Sequence, residues 1–133
     1  MTVRFLPAAA RSLVLDLVVP GNPIPWARAG IDKRSGRIYP TRATEAAKQL
    51  LGLLALEQVK TPVEGDLEII HFFYRDSLRR CDGDNLQKLV WDAFNGVVWV
   101  DDSQVVSWSG GKRVDRSFPR TEIQVWKLVQ EQT

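Results

Sequence analysis

The chain is poor in the residues that staple or anchor a protein. It has one cysteine, Cys81, so no internal disulfide can form. No stretch comes near the 18 or so consecutive apolar residues of a membrane span. The opening MTVRFLPAAARSLVLDLVVPG does not make a secretory signal either: Arg11 and Asp16 interrupt the apolar stretch, and no clean apolar core precedes Ala8, Ala9 and Ala10. The one histidine, His71, sits inside an apolar run and is expected to pack there rather than ligate a metal. A large excess of one charge is also missing, and a net charge of +2 does not by itself announce a nucleic-acid binder. Internal repeats and low-complexity tracts are absent. What is left is 133 residues, 44% of them hydrophobic, a length and composition suited to one cytoplasmic domain with its own core.

The charge is unevenly spread. Between Trp26 and Thr44 the basic residues Arg28, Lys33, Arg34, Arg37 and Arg42 face a single acid, Asp32, in a segment punctuated by Gly30, Gly36 and Pro40. Such a basic loop is either a solvated surface or a set of phosphate contacts, and the second reading needs an acid-handling site nearby.

Periodicity supplies the frame. LVLDLVV (13–19) is β-branched and apolar and ends at PGNPIP, which predicts a strand. The stretch from Thr41, TRATEAAKQLLGLLALEQV, carries Ala47, Leu50, Leu51 and Leu54 at helical spacing. Residues 66–75, DLEIIHFFYR, are apolar on both alternating faces, as in a strand near the middle of a sheet. A second helix is expected from about Asp84 to the stop at Asn95-Gly96. SQVVSW (103–108) and TEIQVWKL (121–128) read as strands joined through Gly110-Gly111 and a basic turn. The order β-α-β-α-β-β, with two helices long enough to cover a mixed sheet, predicts an α/β domain of two or three layers.

Acids crowd around the second helix. In CDGDNLQK (81–88) an aspartate before a helix is the ordinary cap, but capping accounts for only one of Asp82 and Asp84. Gly83 between them lets the backbone turn both carboxylates toward one point. Two carboxylates held close repel unless a cation sits between them, and hard ions such as Mg²⁺ choose carboxylate oxygens and water. Along the helix Asp84, Lys88 and Asp92 follow at i, i+4 and i+8 on one face, so Lys88 is either aimed at the carboxylate site or is a helix-surface ion pair. A further pair, Asp101-Asp102, breaks the next apolar run. These acids reach the first pair only if the chain doubles back beside the helix N-terminus.

The run Asp82-Gly83-Asp84-Asn85-Leu86-Gln87-Lys88, then Asp92-Ala93, then Asp101-Asp102-Ser103-Gln104-Val105-Val106, resembles the signature of the RusA family of Holliday junction resolvases. The similarity covers about residues 79–112 and extends to Gly21-Asn22-Pro23-Ile24-Pro25-Trp26-Ala27-Arg28, which is similar to the family's glycine-proline loop ending in arginine. The resemblance implies a small homodimeric endonuclease, bacterial or prophage-encoded and at work on the nucleoid, that uses Mg²⁺, with Mn²⁺ as a substitute, to cut four-way DNA junctions by paired nicks in recombination and repair. It also implies a single RusA-like domain over 1–133, with residues 1–11 a flexible or atypical extension. Position by position, Asp82, Asp84 and Asp102 match the metal-binding aspartates and Lys88 the essential lysine. Asp101 and Asp92 are accessory. The chain departs from many relatives at Ala29-Gly30, where they carry a second proline-arginine step.

Such chemistry would explain the basic residues. DNA held against the acids' repulsion needs Arg28, Lys33, Arg34, Arg37, Arg42, Arg79, Arg80 and Lys112 as phosphate contacts, with Trp26 as a stacking contact. Trp91, Trp99 and Trp126, in apolar runs, are core or dimer-interface candidates. Two other readings stand beside junction resolution: a Mg²⁺ nuclease acting on branched DNA broadly, and a non-catalytic DNA-binding module whose acids only cap helices.

Overall fold

The computed structural model describes residues 10–25, 30–31, 34–35, 38–39, 42–77 and 83–129. The elements are β1 (Arg11–Pro20), β2 (Gly30–Ile31), β3 (Ile38–Tyr39), α1 (Arg42–Gln58), β4 (Leu67–Arg75), α2 (Gly83–Phe94), β5 (Val105–Val114) and β6 (Arg120–Leu128), with a 3₁₀ turn at Asp102–Gln104 before β5. The order expected from periodicity holds for the main elements. The basic loop adds two strands of two residues each, paired antiparallel as Gly30 with Tyr39 and Ile31 with Ile38, too short to leave a periodic trace.

The main sheet runs β1-β6-β4-β5, with β4 and β5 parallel and the other pairs antiparallel. It is a mixed sheet with β4 inside it, as the two-sided apolar character of residues 66–75 predicts. One face is covered by the helices. Leu15, Leu17 and Val19 of β1, Leu67, Ile69 and Phe73 of β4, and Ile123 and Val125 of β6 bury against Leu51 and Ala55 of α1 and Leu86, Leu89, Val90 and Phe94 of α2. The spacing of these α2 residues makes one apolar stripe, and burying each such side chain contributes about 1.5–3 kcal/mol. In α1 the buried side chains are Thr44, Leu51 and Ala55, while Leu50, expected on the inner stripe, is 48% exposed. The opposite sheet face mixes Ile70, Phe72, Tyr74 and Trp126 with charged side chains, and two cations stack on its rings: Arg11 pairs with Glu68 and lies over Trp126, and Arg120 pairs with Asp115 and Glu122 while lying over Tyr74. The fold therefore has two layers.

One expectation fails. Gly110-Gly111 is not a turn but lies within β5, which runs on to Val114 beside β4. Gly110 has φ +129°, and a Cβ there would stand 1.7 Å from the His71 carbonyl oxygen. The glycine is thus required by close approach of two strand backbones, and the turn comes later, at residues 115–119. No helix among the described residues is long and apolar enough to cross a membrane.

Candidate active site

α2 follows directly on the acidic stretch and is positioned by its buried stripe. Its first turn carries Asp84, exposed to solvent, and one turn on comes the exposed Lys88. Residues four apart on a helix are neighbours, with Cβ atoms about 5–6 Å apart, so carboxylate and ammonium share one outward face. Asp92, two turns along, is half-buried and borders a shallow groove against Glu45 and Lys48 of α1. The helix ends at Phe94, and Gly96 takes the left-handed conformation, φ +79°, that stops it.

β5 returns alongside this helix. Where Gly83 would carry a Cβ, Cδ and Cε of Lys112 lie 3.9 Å away, so the exposed Lys112 reaches the α2 N-terminus. The returning chain thus brings a base, and not the Asp101-Asp102 turn, to the start of the helix. At the same end of the sheet, Asn22 of the glycine-proline loop accepts a 3.0 Å hydrogen bond from the Asp76 backbone N–H, and the Gly21 N–H donates to the Pro119 carbonyl at 2.9 Å. The dipole of α2 favours negative charge at this end.

The second acid pair lies toward the other end of α2. Its two members are held differently. Asp101 caps the 3₁₀ turn: its carboxylate accepts from the Ser103 backbone N–H at 3.0 Å, and hydrogen bonding from the Ser103 side chain first, and then from that N–H, holds its pKa below the ordinary carboxylate value. Asp102 Oδ1 accepts a 2.7 Å hydrogen bond from the indole Nε1–H of Trp99, and Trp99 packs edge-on against Phe94, the last residue of α2. From Asp84 to Phe94 the helix rises about 15 Å, several times the width of one cation's ligand shell.

Gln104 fastens this turn to the rest of the molecule. Its Oε1 accepts from the backbone N–H groups of Val100 and Asp101 at 2.8 and 3.0 Å, and its Nε2 donates to the carbonyls of Val63 and Gly65 at 2.9 Å each. All four hydrogen-bonding positions of one amide are used. Gln104 was read in the sequence only as part of a motif, yet an aspartate followed three residues later by glutamine is the pattern of a capping box. Trp99 was read as a core or interface residue. It is fully buried, and its bond to Asp102 was not anticipated.

His71 packs, as expected. It is buried, and its Nε2 accepts from Trp91 Nε1–H at 3.3 Å, while among the described residues nothing in hydrogen-bonding geometry meets Nδ1. Burial pushes its pKa below 6.5. Among the described residues no ionisable side chain lines the cleft of about 410 Å³ beside Ile24, Leu50, Phe73 and Leu86.

Among the expected DNA contacts, Arg34 is exposed in the turn between β2 and β3, and Arg42 is exposed at the start of α1. Asp82, Arg28, Lys33, Arg37, Arg79, Arg80 and Trp26 lie outside the described residues. Among the described residues no group of three or more histidine, cysteine or acidic side chains clusters as a metal site. The donors by type, carboxylate oxygens, are nevertheless those a hard divalent cation takes.

A family model described as endodeoxyribonuclease RusA matches residues 20–126, from the end of β1 through most of β6. No curated protein matches the chain significantly.

Proposed function

The chain belongs to the RusA family of endodeoxyribonucleases, divalent-metal-dependent enzymes that resolve Holliday junctions, and we propose that it acts as a Mg²⁺-dependent homodimer placing one nick in each of two opposed strands of a four-way junction. One observation carries the reading. Asp84 on the first turn of α2 and Lys112 on β5 occupy the same helix N-terminus, so a ligand for a cation and a partner for a phosphate occur at one point.

Asp82, Asp84 and Asp102 would hold the Mg²⁺, with Asp101 and Asp92 accessory, and Mn²⁺ would take the same oxygens. When bound, such an ion acidifies the attacking water and offsets charge on the phosphate. Lys88, on the face of Asp84, stabilises the negative charge that develops as the phosphodiester opens. Lys112 and the α2 N-terminus grip the backbone next to the scissile bond, and Arg28, Lys33, Arg34, Arg37, Arg42, Arg79 and Arg80 extend the grip along the arms.

The dimer has a second rationale besides the need to cut two strands. Because Asp84 and the Trp99-bound Asp102 stand toward opposite ends of α2, a site using both is built from Asp84 of one copy and Asp102 of the other. Two copies related by a two-fold axis then make two equal sites.

The reading is tested by incubating the purified protein with a mobile four-way junction, a linear duplex and a splayed arm, in Mg²⁺ or in chelator. Symmetric nicks in the junction alone, in Mg²⁺ alone, are expected. Equal cutting of the splayed arm would replace junction resolution with a broader branched-DNA nuclease, and binding without cutting in any metal would overturn the catalytic reading.

A further inference from the structure

Trp99 takes no part in the proposed reaction, yet its indole N–H is spent on Asp102. A buried tryptophan needs an acceptor for its single donor, and the protein could have used a backbone carbonyl. Instead the donor meets a carboxylate at 2.7 Å, at the short end of the range for N–H···O bonds to ionised groups. The ring that carries it cannot turn. It is fully buried and clamped edge-on by Phe94, with centroids 5.7 Å apart, and by Trp91, 6.4 Å away. Trp91 is in turn fixed by its own N–H bond to His71.

The backbone beneath Asp102 is equally constrained. Asp101 caps the turn on one side, and Gln104 ties it to Val63 and Gly65 on the other. Asp102 is therefore held at two levels, the turn that carries it by Gln104 and its Oδ1 by Trp99. A carboxylate gripped at one oxygen by a rigid, dry donor keeps its second oxygen in one orientation. Ligands of hard cations are commonly oriented by such outer contacts, whose loss typically costs 10- to 100-fold in metal affinity.

We propose that Trp99 is a positioning residue for cleavage: its indole N–H holds Oδ1 of Asp102 so that Oδ2 is presented to the divalent cation. The inference rests on the assignment of Asp102 as a metal ligand. It differs from a purely structural role for Trp99, which fills core volume whether or not the N–H is present.

Trp99→Phe keeps most of the ring and removes the donor. Mn²⁺ binding to the intact protein on junction DNA is measured by electron paramagnetic resonance, beside thermal melting, junction binding in chelator and the Mg²⁺ dependence of nicking. The variant is expected to melt within a few degrees of wild type, bind junction in chelator as wild type does, and bind Mn²⁺ 10- to 100-fold more weakly. Its nicking should recover in part at raised Mg²⁺. Wild-type Mn²⁺ affinity in Trp99→Phe, while Asp102→Asn has lost it, would overturn the role of Trp99 and leave Asp102 a ligand. Wild-type affinity in Asp102→Asn would overturn the ligand assignment and the proposal with it.

Should Trp99→Phe fail to fold, ¹⁵N-indole spectra of the wild-type protein decide. The indole resonance displaced by Asp102→Asn should also move when Mg²⁺ is added to wild type. An indole signal displaced by the substitution but indifferent to Mg²⁺ would sink the proposal.

Discussion

Asp84 and Asp102 stand toward opposite ends of one helix, the first on the opening turn of α2 and the second bonded to an indole that packs on its last residue. The sequence places both in one short signature, and a linear reading invites the idea that a single chain gathers them. The fold gives the α2 N-terminus a different neighbour, Lys112. On the proposed reading each end of the helix contributes half of a site, which would give dimerisation a chemical purpose.

Removal of the Lys88 charge should act on the reaction and not on folding, because the side chain is exposed. Lys88→Ala is expected to slow single-turnover nicking on the order of 100-fold, the usual effect of deleting one charge-stabilising group. Its affinity for junction in chelator should stay within about twofold of wild type, as read by gel shift.

Truncation of Gln104 should loosen the Asp101-Asp102 turn. Four hydrogen bonds are lost in Gln104→Ala, two of them to the carbonyls of Val63 and Gly65. A loss of about 1–3 kcal/mol in urea unfolding is expected. Gln104→Glu should fare no better, since its carboxylate would face those carbonyls with no donor.

Gly110→Ala should be among the most damaging single changes available. The new methyl would lie 1.7 Å from the His71 carbonyl oxygen at a backbone angle that side chains avoid. Overpacking and backbone strain together are expected to cost on the order of 3 kcal/mol or more, visible as a lowered melting temperature or as insoluble protein.

Acid should weaken the fold through His71 before the carboxylates titrate. Burial depresses the histidine's pKa in the folded chain, so the unfolded chain binds the proton more readily. Its contribution is present above the unfolded value near 6.5 and is lost as pH falls below it. Melting temperatures measured from pH 7.5 to 5 should fall for wild type. His71→Gln, which removes the only histidine, should flatten that part of the profile while lowering stability at neutral pH.

Element order was legible because β1, β4, β6 and both helices write their burial into local periodicity, and β4 announced its central place by being apolar on both faces. The path of β5 was not. Gly110-Gly111 has the composition of a turn, and only the nearness of the His71 carbonyl, a contact 39 residues away in sequence, explains why a strand carries glycine there. The acids were legible as a crowded set around the second helix, whereas their distribution along α2 depended on how the chain returns. Gln104 had left a readable trace in its capping box. Trp99 had left none, since a tryptophan in an apolar run looks the same whether or not its N–H holds a carboxylate.

The most direct test of a shared site mixes two inactive proteins. Asp84→Asn and Asp102→Asn are each expected to bind junction without cutting it. After unfolding and refolding together, half of the dimers should pair one of each, and in these one site combines Asp84 of one copy with Asp102 of the other, both intact. The account predicts that the mixture regains Mg²⁺-dependent nicking of one strand, although neither parent has any. A mixture as inert as its parents, with mixed dimers demonstrated by differential tags, would contradict it.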